Sequence, residues 1–372
     1  MGRMIEDLGG GVSVNASREQ FLVMVDVLRN NLGPAFSLLA ESLTSPLHDP
    51  MEIEEAKMMM GLQIAELPLE LVLKECIQVA GYGGGNQRLG RFFFSDEQSI
   101  PNLNASILEN FRDKHFIAPN MVLAGAGVDH QEFVQLAEEH FGDIPKNPKI
   151  APPESVKSIY TGGECRQQRD TIDGFTRIAV GFEVGGWHSD DLVPTCVLQI
   201  LLGGGDSFSA GGPGKGMYSR LYREVLNRYY WAEASEAFTS LHDESGIFGI
   251  SGSSVPKKSQ QLSLVFFEHF AKLAVVKVCD EELARARNML KCNVLTQMES
   301  RMVLFEDIGR QMLTYGKRET PKSICDRIDQ VTADDIIRIA KKMVSSNPTI
   351  AAVGHDLSNV PRIEDVQRLV LS

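Results

Sequence analysis

The sequence predicts an α/β protein built from two copies of one structural unit. Three observations support this: helical and strand patterns alternate along the chain, an apolar segment of the first half recurs in the second, and a proline-rich stretch separates the halves. With 372 residues, the chain is long enough for two domains that each have a core. Its 43% apolar and 23% charged residues are typical of globular proteins.

Strand and helix patterns follow one another from the first residues onward. Short runs of β-branched and apolar residues predict strands, and apolar residues at helical spacing predict helices. The predicted strands are residues 12–14, 121–124, 176–182 and 246–251. The predicted helices are residues 19–30, 49–66, 192–202, 217–229 and 333–344. Helix 217–229 is expected to bury Leu221, Val225 and Tyr229, and helix 333–344 opens on a Thr332-to-Asp335 start signal.

The internal repeat links residues 120–127 with residues 347–354, an offset of 227 positions. A helical pattern precedes each copy, at 108–116 and 333–344. At the same offset, 33–43 and 260–270 are both helix-like. The chain therefore looks like two copies of one α/β unit. The same period predicts that the first unit starts roughly 70 residues before Met1, so that the first domain is incomplete.

The proline-rich stretch 143–158 holds four prolines and few large apolar residues, which is typical of a linker. The predicted division is a truncated N-terminal domain at 1–147, a linker at 148–158, and a C-terminal domain at 159–372.

Charge and cysteine usage narrow the function classes. A net charge of −12 argues against a nucleic-acid partner, which needs a basic face. It suits a basic partner, although solubility alone explains it equally well. The six cysteines contain no C-x-x-C pair, which indicates a reducing compartment and no structural zinc. No apolar run reaches membrane-spanning length.

The candidate site is the glycine-rich segment 203–216, in which seven of fourteen residues are glycine. Long glycine-rich segments inside a domain usually handle a ligand. A P-loop is excluded because Ser209 and Gly216 replace its first glycine and its Ser/Thr, and no G-x-G-x-x-G frame fits. A linker remains possible, but a loop that closes over an extended peptide is favoured. The proposed substrate-binding residues are Gly203, Gly204, Gly205, Asp206, Ser207, Phe208, Ser209, Ala210, Gly211, Gly212, Pro213, Gly214, Lys215 and Gly216.

Other catalytic constellations are weak. No two of the eight histidines lie four residues apart, so neither H-E-x-x-H nor H-x-x-E-H can be built, and no zinc site is predicted in this chain. A triad from Ser207 or Ser209 with the His242–Asp243 pair lacks a G-x-S-x-G elbow. Acidic residues after the loop either line a site for a basic peptide or form ordinary polar surface: Glu233, Glu236, Asp243 and Glu244.

The run GGGDSFSAGGPGKGMYSRLY at 203–222 resembles the glycine-rich loop of the α-subunits of mitochondrial processing peptidase, which are pitrilysin-like metallopeptidases. Further matches are NASRE at 15–19, LGR at 89–91 and PNMVLAGAG at 119–127. The resemblance extends from about residue 5 to the C-terminus. It implies two homologous domains, each with an antiparallel-rich mixed sheet packed against helices.

The resemblance also implies a function. The chain would be the non-catalytic, substrate-recognition subunit of a heterodimer that removes presequences from imported precursors in the mitochondrial matrix. A partner β-subunit would carry H-x-x-E-H and the zinc, and basic presequence peptides would bind the loop. Related chains are core subunits of the cytochrome bc1 complex, which is the alternative. Asp206 departs from the small neutral residue expected there, and it either contacts a cationic presequence or stiffens the loop. The family's metal motif would lie upstream of Met1.

Overall fold

The structure is a computed structural model that describes residues 1–84, 88–94, 98–152, 156–206 and 217–371. Its helices in chain order are α1 Gly2–Asp7, α2 Leu32–Thr44, α3 Pro50–Ala65, α4 Leu69–Gly81, α5 Ala105–His115, α6 His130–Phe141, α7 Leu192–Leu202, α8 Ser259–Val275, α9 Asp280–Gln297, α10 Arg301–Tyr315, α11 Pro321–Gln330, α12 Ala333–Val344 and α13 Ile363–Leu371. The strands are β1 Gly11–Ala16, β2 Phe21–Asp26, β3 Gly163–Gln168, β4 Thr176–Gly185, β5 Gly204–Asp206, β6 Ala232–Leu241, β7 Ser245–Ser254 and β8 Thr349–Gly354.

Two compact units divide the chain. Unit 1 contains residues 1–66, 94–156 and 296–319, and unit 2 contains residues 67–93, 157–295 and 320–372. One change of unit falls between Val156 and Lys157, inside the predicted linker. The other changes arise from two segments that leave the predicted sequential order. Segment 67–93 belongs to unit 2, although it was predicted in the N-terminal domain, and segment 296–319 belongs to unit 1, although it was predicted in the C-terminal domain.

Unit 1 holds the antiparallel hairpin β1–β2, in which Gly11 pairs with Asp26 and Ala16 with Phe21. The turn is closed by Ser17, whose Oγ accepts the backbone N–H of Gln20 at 3.0 Å. Aromatic contacts join α2 to α6, because the ring of Phe36 packs edge-on against the rings of Phe133 and Phe141. The fold of this unit depends on a small apolar core, whereas α3 buries none of its side chains.

Unit 2 is built on a six-stranded sheet with the order β3-β8-β4-β7-β6-β5. Only the β3–β8 pair is parallel, so the sheet is mixed and antiparallel-rich, as the resemblance implied. Inward-facing residues alternate along β4 and meet the apolar faces of α7, α8 and α12. The fully buried members of this core include Phe182, Leu198, Phe248, Phe266 and Ile336.

Helix α4 lies on the opposite face of the same sheet, over β3, β8 and β4. Its C-terminal Gly81 approaches so closely that an added Cβ would lie 2.7 Å from the Ile247 side chain. Nearby, the hydroxyl of Tyr82 lies 2.9 Å from that of Ser245. The sheet of unit 2 is therefore covered on one face by α7, α8 and α12, and on part of the other by α4.

The predicted repeat is visible in the order of the elements. Shifted by 227 positions, α2, α3 and α5 fall on α8, α9 and α12, and the hairpin β1–β2 falls on β6–β7. The two segments that leave the sequential order are also equivalents: 67–93 shifted becomes 294–320, and the corresponding segment is 296–319. Unit 2 thus contains α4, which comes from the first half of the sequence, and unit 1 contains the equivalent helix α10, which comes from the second half.

Most predicted elements are confirmed, and three need correction. Residues 19–30, predicted as a helix, form β2 and a short 3-10 turn, since the run from Phe21 to Val25 pairs with β1. Residues 121–124, predicted as a strand, have no strand partner among the described residues. The helix predicted from Met217 begins at Arg220 and includes the π-helical turn Tyr222–Leu226. The capping box of α12 is present as predicted.

Within the part of the chain that the structure describes, no helix has both the length and the apolar character required to span a membrane.

Candidate functional site

The glycine-rich segment starts where α7 ends against the core of unit 2. Gly203 caps this helix with φ of 54°, and its N–H donates to the carbonyl of Gln199 at 2.8 Å. The carbonyl of Gly203 accepts the N–H of Ala237 at 2.8 Å, so the backbone passes directly from helix to sheet. Because Leu201 and Leu202 are almost fully buried, the first residues of the segment have a fixed position.

The next three residues form β5, the edge strand of the sheet. Gly204 pairs with Glu236, Gly205 with Ser235, and Asp206 with Ala234, all in antiparallel register on β6. Edge strands of this kind present unpaired backbone groups to which an extended peptide can add.

Two of the three glycines are required by close backbone approach. A Cβ on Gly203 would lie 2.4 Å from Cβ of Ser219, and a Cβ on Gly204 would lie 1.9 Å from the carbonyl oxygen of Ser235. Gly204 also has φ of 111°, a region that residues with side chains avoid. Gly205, in contrast, has open space where its Cβ would be. The structure therefore distinguishes Gly203 and Gly204, where a side chain would clash, from Gly205, where a side chain would fit.

Ser219, three residues after the segment, bonds back to the start of the segment. Its Oγ accepts the N–H of Gly204 at 3.0 Å, although the two residues are fifteen positions apart, and Ser219 is buried. This hydrogen bond therefore holds the chain that follows the segment against Gly204, at the edge of the sheet.

We expect the substitution Ser219→Ala to lower the free energy of unfolding by about 1–2 kcal/mol, because the N–H of Gly204 loses its acceptor. Chemical denaturation of the purified chain measures this. The matched control is Ser345→Ala, which removes an exposed hydroxyl just after α12 that donates to the carbonyl of Lys341 in the last turn of that helix. Equal losses in the two variants would contradict a role for Ser219 at the base of the segment.

A short helix at residues 220–226 follows the segment, and its apolar side chains are buried in the core of unit 2. Leu221 and Val225 are fully buried, as the helical spacing predicted, and Tyr229 packs at the margin of the core. Immediately before Leu221, Arg220 forms a two-bond ion pair with Glu282 on α9, with Nε to Oε1 at 2.6 Å and Nη2 to Oε2 at 2.9 Å. Side chains of the pair are only 11% and 13% exposed.

Burial opposes the charge on Arg220, but the hydrogen bonds and charge of Glu282 outweigh it and hold the pKa of the guanidinium above its ordinary value. His269 on α8 lies in the same region. Burial, opposed by the charge of Glu224, lowers the pKa of its imidazole, which stays neutral at physiological pH. The exit of the segment is therefore fixed by one guanidinium–carboxylate pair.

Two carboxylates share one face of the sheet beside the segment. Glu236 pairs with Gly204 and Asp206 with Ala234, so the alternation of the strands places Asp206 and Glu236 on the same side. Both residues are exposed, and they lie on the face opposite the core of α7, α8 and α12, as the buried Ile250 beside Ala237 shows. A cationic ligand at the base of the segment would meet negative charge.

Of the other acidic candidates, one lies beside the segment and two lie elsewhere. Glu233 is at the bulge of β6, next to the same strand end. Asp243 lies 3.0 Å from the Nε2 of His188, and Glu244 forms an ion pair with Lys157. Only Glu233, Glu236 and Asp206 therefore belong to the neighbourhood of the glycine-rich segment.

Most of the segment lies outside the described residues: Ser207, Phe208, Ser209, Ala210, Gly211, Gly212, Pro213, Gly214, Lys215 and Gly216. This includes both serines of the triad considered above. The Nε2 of His242 lies 2.7 Å from the amide nitrogen of Gln78, so that histidine is engaged in a buried polar contact with α4.

Potential metal-ligating side chains are spread over the described residues. In them, no three His, Cys, Asp or Glu side chains come together in an arrangement that could hold a metal ion. The described part of this chain therefore does not fit a zinc centre.

Comparison with known proteins identifies the fold of the chain. The family model described as Peptidase M16 inactive domain matches residues 102–290, and the model described as Insulinase (Peptidase family M16) matches residues 1–90. The chain belongs to peptidase family M16.

Relatives of this M16 chain carry a consistent name. A mitochondrial-processing peptidase subunit alpha from Solanum tuberosum is 40% identical over 362 residues, covering 96% of this chain and 70% of the relative. The mitochondrial-processing peptidase subunit alpha of Homo sapiens is 32% identical over 386 residues, covering 99% and 72%. The family resemblance inferred from the glycine-rich run is therefore confirmed.

Solved structures show the same fold. A chain from Complex III2 of Candida albicans, determined with Inz-5 bound, superposes with a TM-score of 0.85 and covers 97% of this M16 chain and 86% of its own length. At 16% sequence identity, this similarity shows the fold alone.

Sequence reasoning missed the residues that anchor the segment. Ser219 lies in the run SRLY at 219–222, but its bond to Gly204 depends on how the chain returns to the sheet. Glu282 is 62 positions from Arg220, and it is one of three consecutive acids at the start of α9, a pattern typical of ordinary helix N-termini. No local pattern distinguishes Glu282 from its neighbours.

Proposed function

We propose that this chain is the non-catalytic, substrate-recognition subunit of the zinc endopeptidase that removes targeting presequences from imported mitochondrial precursors. The observation that carries the proposal is the 40% identity, over 96% of the chain, to a protein named mitochondrial-processing peptidase subunit alpha. The names of the same relatives support a mitochondrial location, and within the mitochondrion we propose the matrix.

The catalytic zinc is assigned to a partner β-subunit that carries H-x-x-E-H. No metal ligand and no catalytic residue are assigned to this chain, and this assignment rests on the α-type glycine-rich segment at residues 203–216. Its contribution would be to hold the substrate so that the scissile bond reaches the partner's zinc, which is a proximity effect.

The anchored base of the glycine-rich segment supports this role. Gly203 and Gly204 fix the start of the segment to the sheet, Ser219 bonds to Gly204 from beyond the segment, and β5 at the start of the segment is an edge strand. Backbone groups can pair with an extended peptide without reading its side chains, which suits a subunit that accepts many different presequences.

The charges beside the segment support a basic substrate. Asp206 and Glu236 lie on one exposed face of the sheet beside the segment. A carboxylate pair at this place would attract the positive face of an amphipathic presequence and raise its encounter rate at low salt.

We expect the double variant Asp206→Asn, Glu236→Gln to raise KM for a basic presequence peptide by about three- to tenfold at low salt, with little change in kcat. The effect should shrink as salt screens the charges. Steady-state cleavage with a zinc-bearing partner measures both constants. The matched control neutralises two exposed helical acids, Glu268→Gln and Glu281→Gln. An equal rise in KM in the control would show a general charge effect instead.

The role itself is tested by cleavage of a fluorogenic presequence peptide under three conditions: this chain alone, the zinc-bearing partner alone, and the two mixed. Cleavage only in the mixture, and its loss when residues 203–216 are deleted, would support the proposal. Cleavage by this chain alone would overturn it, and so would a mixture that cleaves no faster than the partner.

A second candidate is a core structural subunit of the cytochrome bc1 complex, with or without processing activity. The observation that favours it is the shared fold with a chain of Complex III2. Native electrophoresis of mitochondrial membranes separates the two roles. Co-migration with haem favours the structural role, and recovery as a free dimer with the zinc-bearing partner favours the processing role.

A further inference from the structure

Two cysteines of unit 2 face each other where α4 crosses the edge strand β3. The contact begins at the C-terminus of the helix, where Gly81 accepts the N–H of Thr161 at 2.8 Å. One residue earlier, the carbonyl oxygen of Ala80 lies 2.9 Å from the position of a Cβ on Gly163. Helix and strand therefore touch, and they run in opposite directions from this point.

The spacing of the two elements brings Cys76 opposite Cys165. Four residues along the helix, from Ala80 back to Cys76, correspond to about 6 Å. Two residues along the strand, from Gly163 to Cys165, correspond to about 6.6 Å and return to the same face of the sheet. Cys76 is fully buried on the helix that covers β3, and Cys165 pairs with Ala351 of β8 under that helix, so the two side chains face each other across the helix–strand contact.

The two thiols differ in environment. Cys76 is fully buried, whereas Cys165 is half-buried on the edge strand. The hydrogen bond with Cys165 and burial both raise the pKa of the Cys76 thiol. The same hydrogen bond, donated by Cys76, lowers the pKa of Cys165 against the effect of burial. The half-buried thiol of Cys165 is thus the one that a small reagent reaches first, and the fully buried thiol of Cys76 lies behind it.

We propose that Cys76 and Cys165 are a redox-active dithiol, which closes to a disulfide by exchange with a small disulfide such as oxidised glutathione. The thiolate of Cys165 attacks one sulfur of the small disulfide, forms a mixed disulfide and releases one thiolate. Cys76 then passes its proton to a released thiolate, attacks the sulfur of Cys165 and expels the second small thiol. Two protein thiols are oxidised, and one small disulfide is reduced to two thiols.

Neither step uses the glycine-rich segment. The pair lies at β3, at the opposite edge of the sheet from β5. The inference therefore stands independently of the proposed function.

The test treats the native chain with oxidised glutathione and maps its thiols by digestion and mass spectrometry without reduction. The expected product is one cross-linked peptide pair that contains Cys76 and Cys165, with a loss of two hydrogens. Glutathione that stays attached to Cys165, or a Cys165 that does not react, would overturn the proposal.

Two variants separate the steps. In Cys76→Ser, the mixed disulfide at Cys165 should accumulate because no second thiol resolves it. In Cys165→Ser, the buried Cys76 should stay unmodified in the folded chain. This second variant tests the proposal even if the substitution of the buried Cys76 prevents folding. The control Cys279→Ser removes an exposed cysteine and should leave the cross-link unchanged. Modification of Cys76 in Cys165→Ser at the wild-type rate would contradict the assigned order.

Discussion

The substitution Gly204→Ala is expected to lower the free energy of unfolding by about 2–4 kcal/mol and to raise KM for a presequence peptide. The new methyl group would lie 1.9 Å from the carbonyl oxygen of Ser235, which belongs to the paired backbone of β6. A φ of 111° adds strain for any residue with a side chain. Because neither backbone can move without breaking the β5–β6 pairing, β5 should detach, and the segment should lose its anchored start.

Gly205→Ala is the matched control for this prediction. It lies one position further along the same strand, its Cβ would enter open space, and its backbone is not in the left-handed region. Its effect on stability should stay within about 0.5 kcal/mol. Denaturant unfolding of both variants, followed by presequence kinetics with the partner, measures the difference. Similar behaviour of the two alanine variants would contradict the close-approach explanation.

Glu282→Gln should destabilise the chain by about 2–4 kcal/mol. The substitution keeps the shape of the side chain but removes the charge that faces Arg220, and both side chains are nearly buried. The guanidinium would keep its own charge, and one of its two acceptors would become an amide N–H₂ group that cannot accept. Arg220 immediately precedes the buried Leu221, so the helix after the glycine-rich segment should loosen as well.

Glu281→Gln provides the comparison, because it removes the same charge from the same first turn of α9. Both variants therefore lose an equal favourable interaction with the helix N-terminus. Glu281 is 84% exposed in its pair with Arg285, so its loss should cost less than about 0.5 kcal/mol. Thermal unfolding of the two variants in parallel measures the difference. A control as unstable as Glu282→Gln would assign the effect to helix charge and not to the ion pair.

Periodicity predicted the long elements of the fold well. Helix α7 and the capping box of α12 follow the sequence patterns, since apolar spacing and start signals act locally. Local pattern failed at residues 19–30, where apolar spacing suits a helix but pairing with β1 makes a strand. The repeat contained the missing information, because residues 246–251 were correctly predicted as a strand and correspond to residues 19–24.

Glycine density marks residues 203–216 as the candidate site, and substrate binding by these residues stays a prediction. Density alone did not rank the glycines, since the need for Gly204 arises from the carbonyl of Ser235 across a strand pair. The same limit applies to Ser219 and Glu282, whose partners are set by the tertiary path of the chain.

The reciprocal membership of segments 67–93 and 296–319 has a consequence for biosynthesis. A ribosome delivers the chain from its N-terminus, so unit 1 lacks its last segment until residue 319 has left the exit tunnel. By then, most of unit 2 has already been made. The two units must therefore mature in one late step, and the nascent first half needs protection from aggregation while it waits.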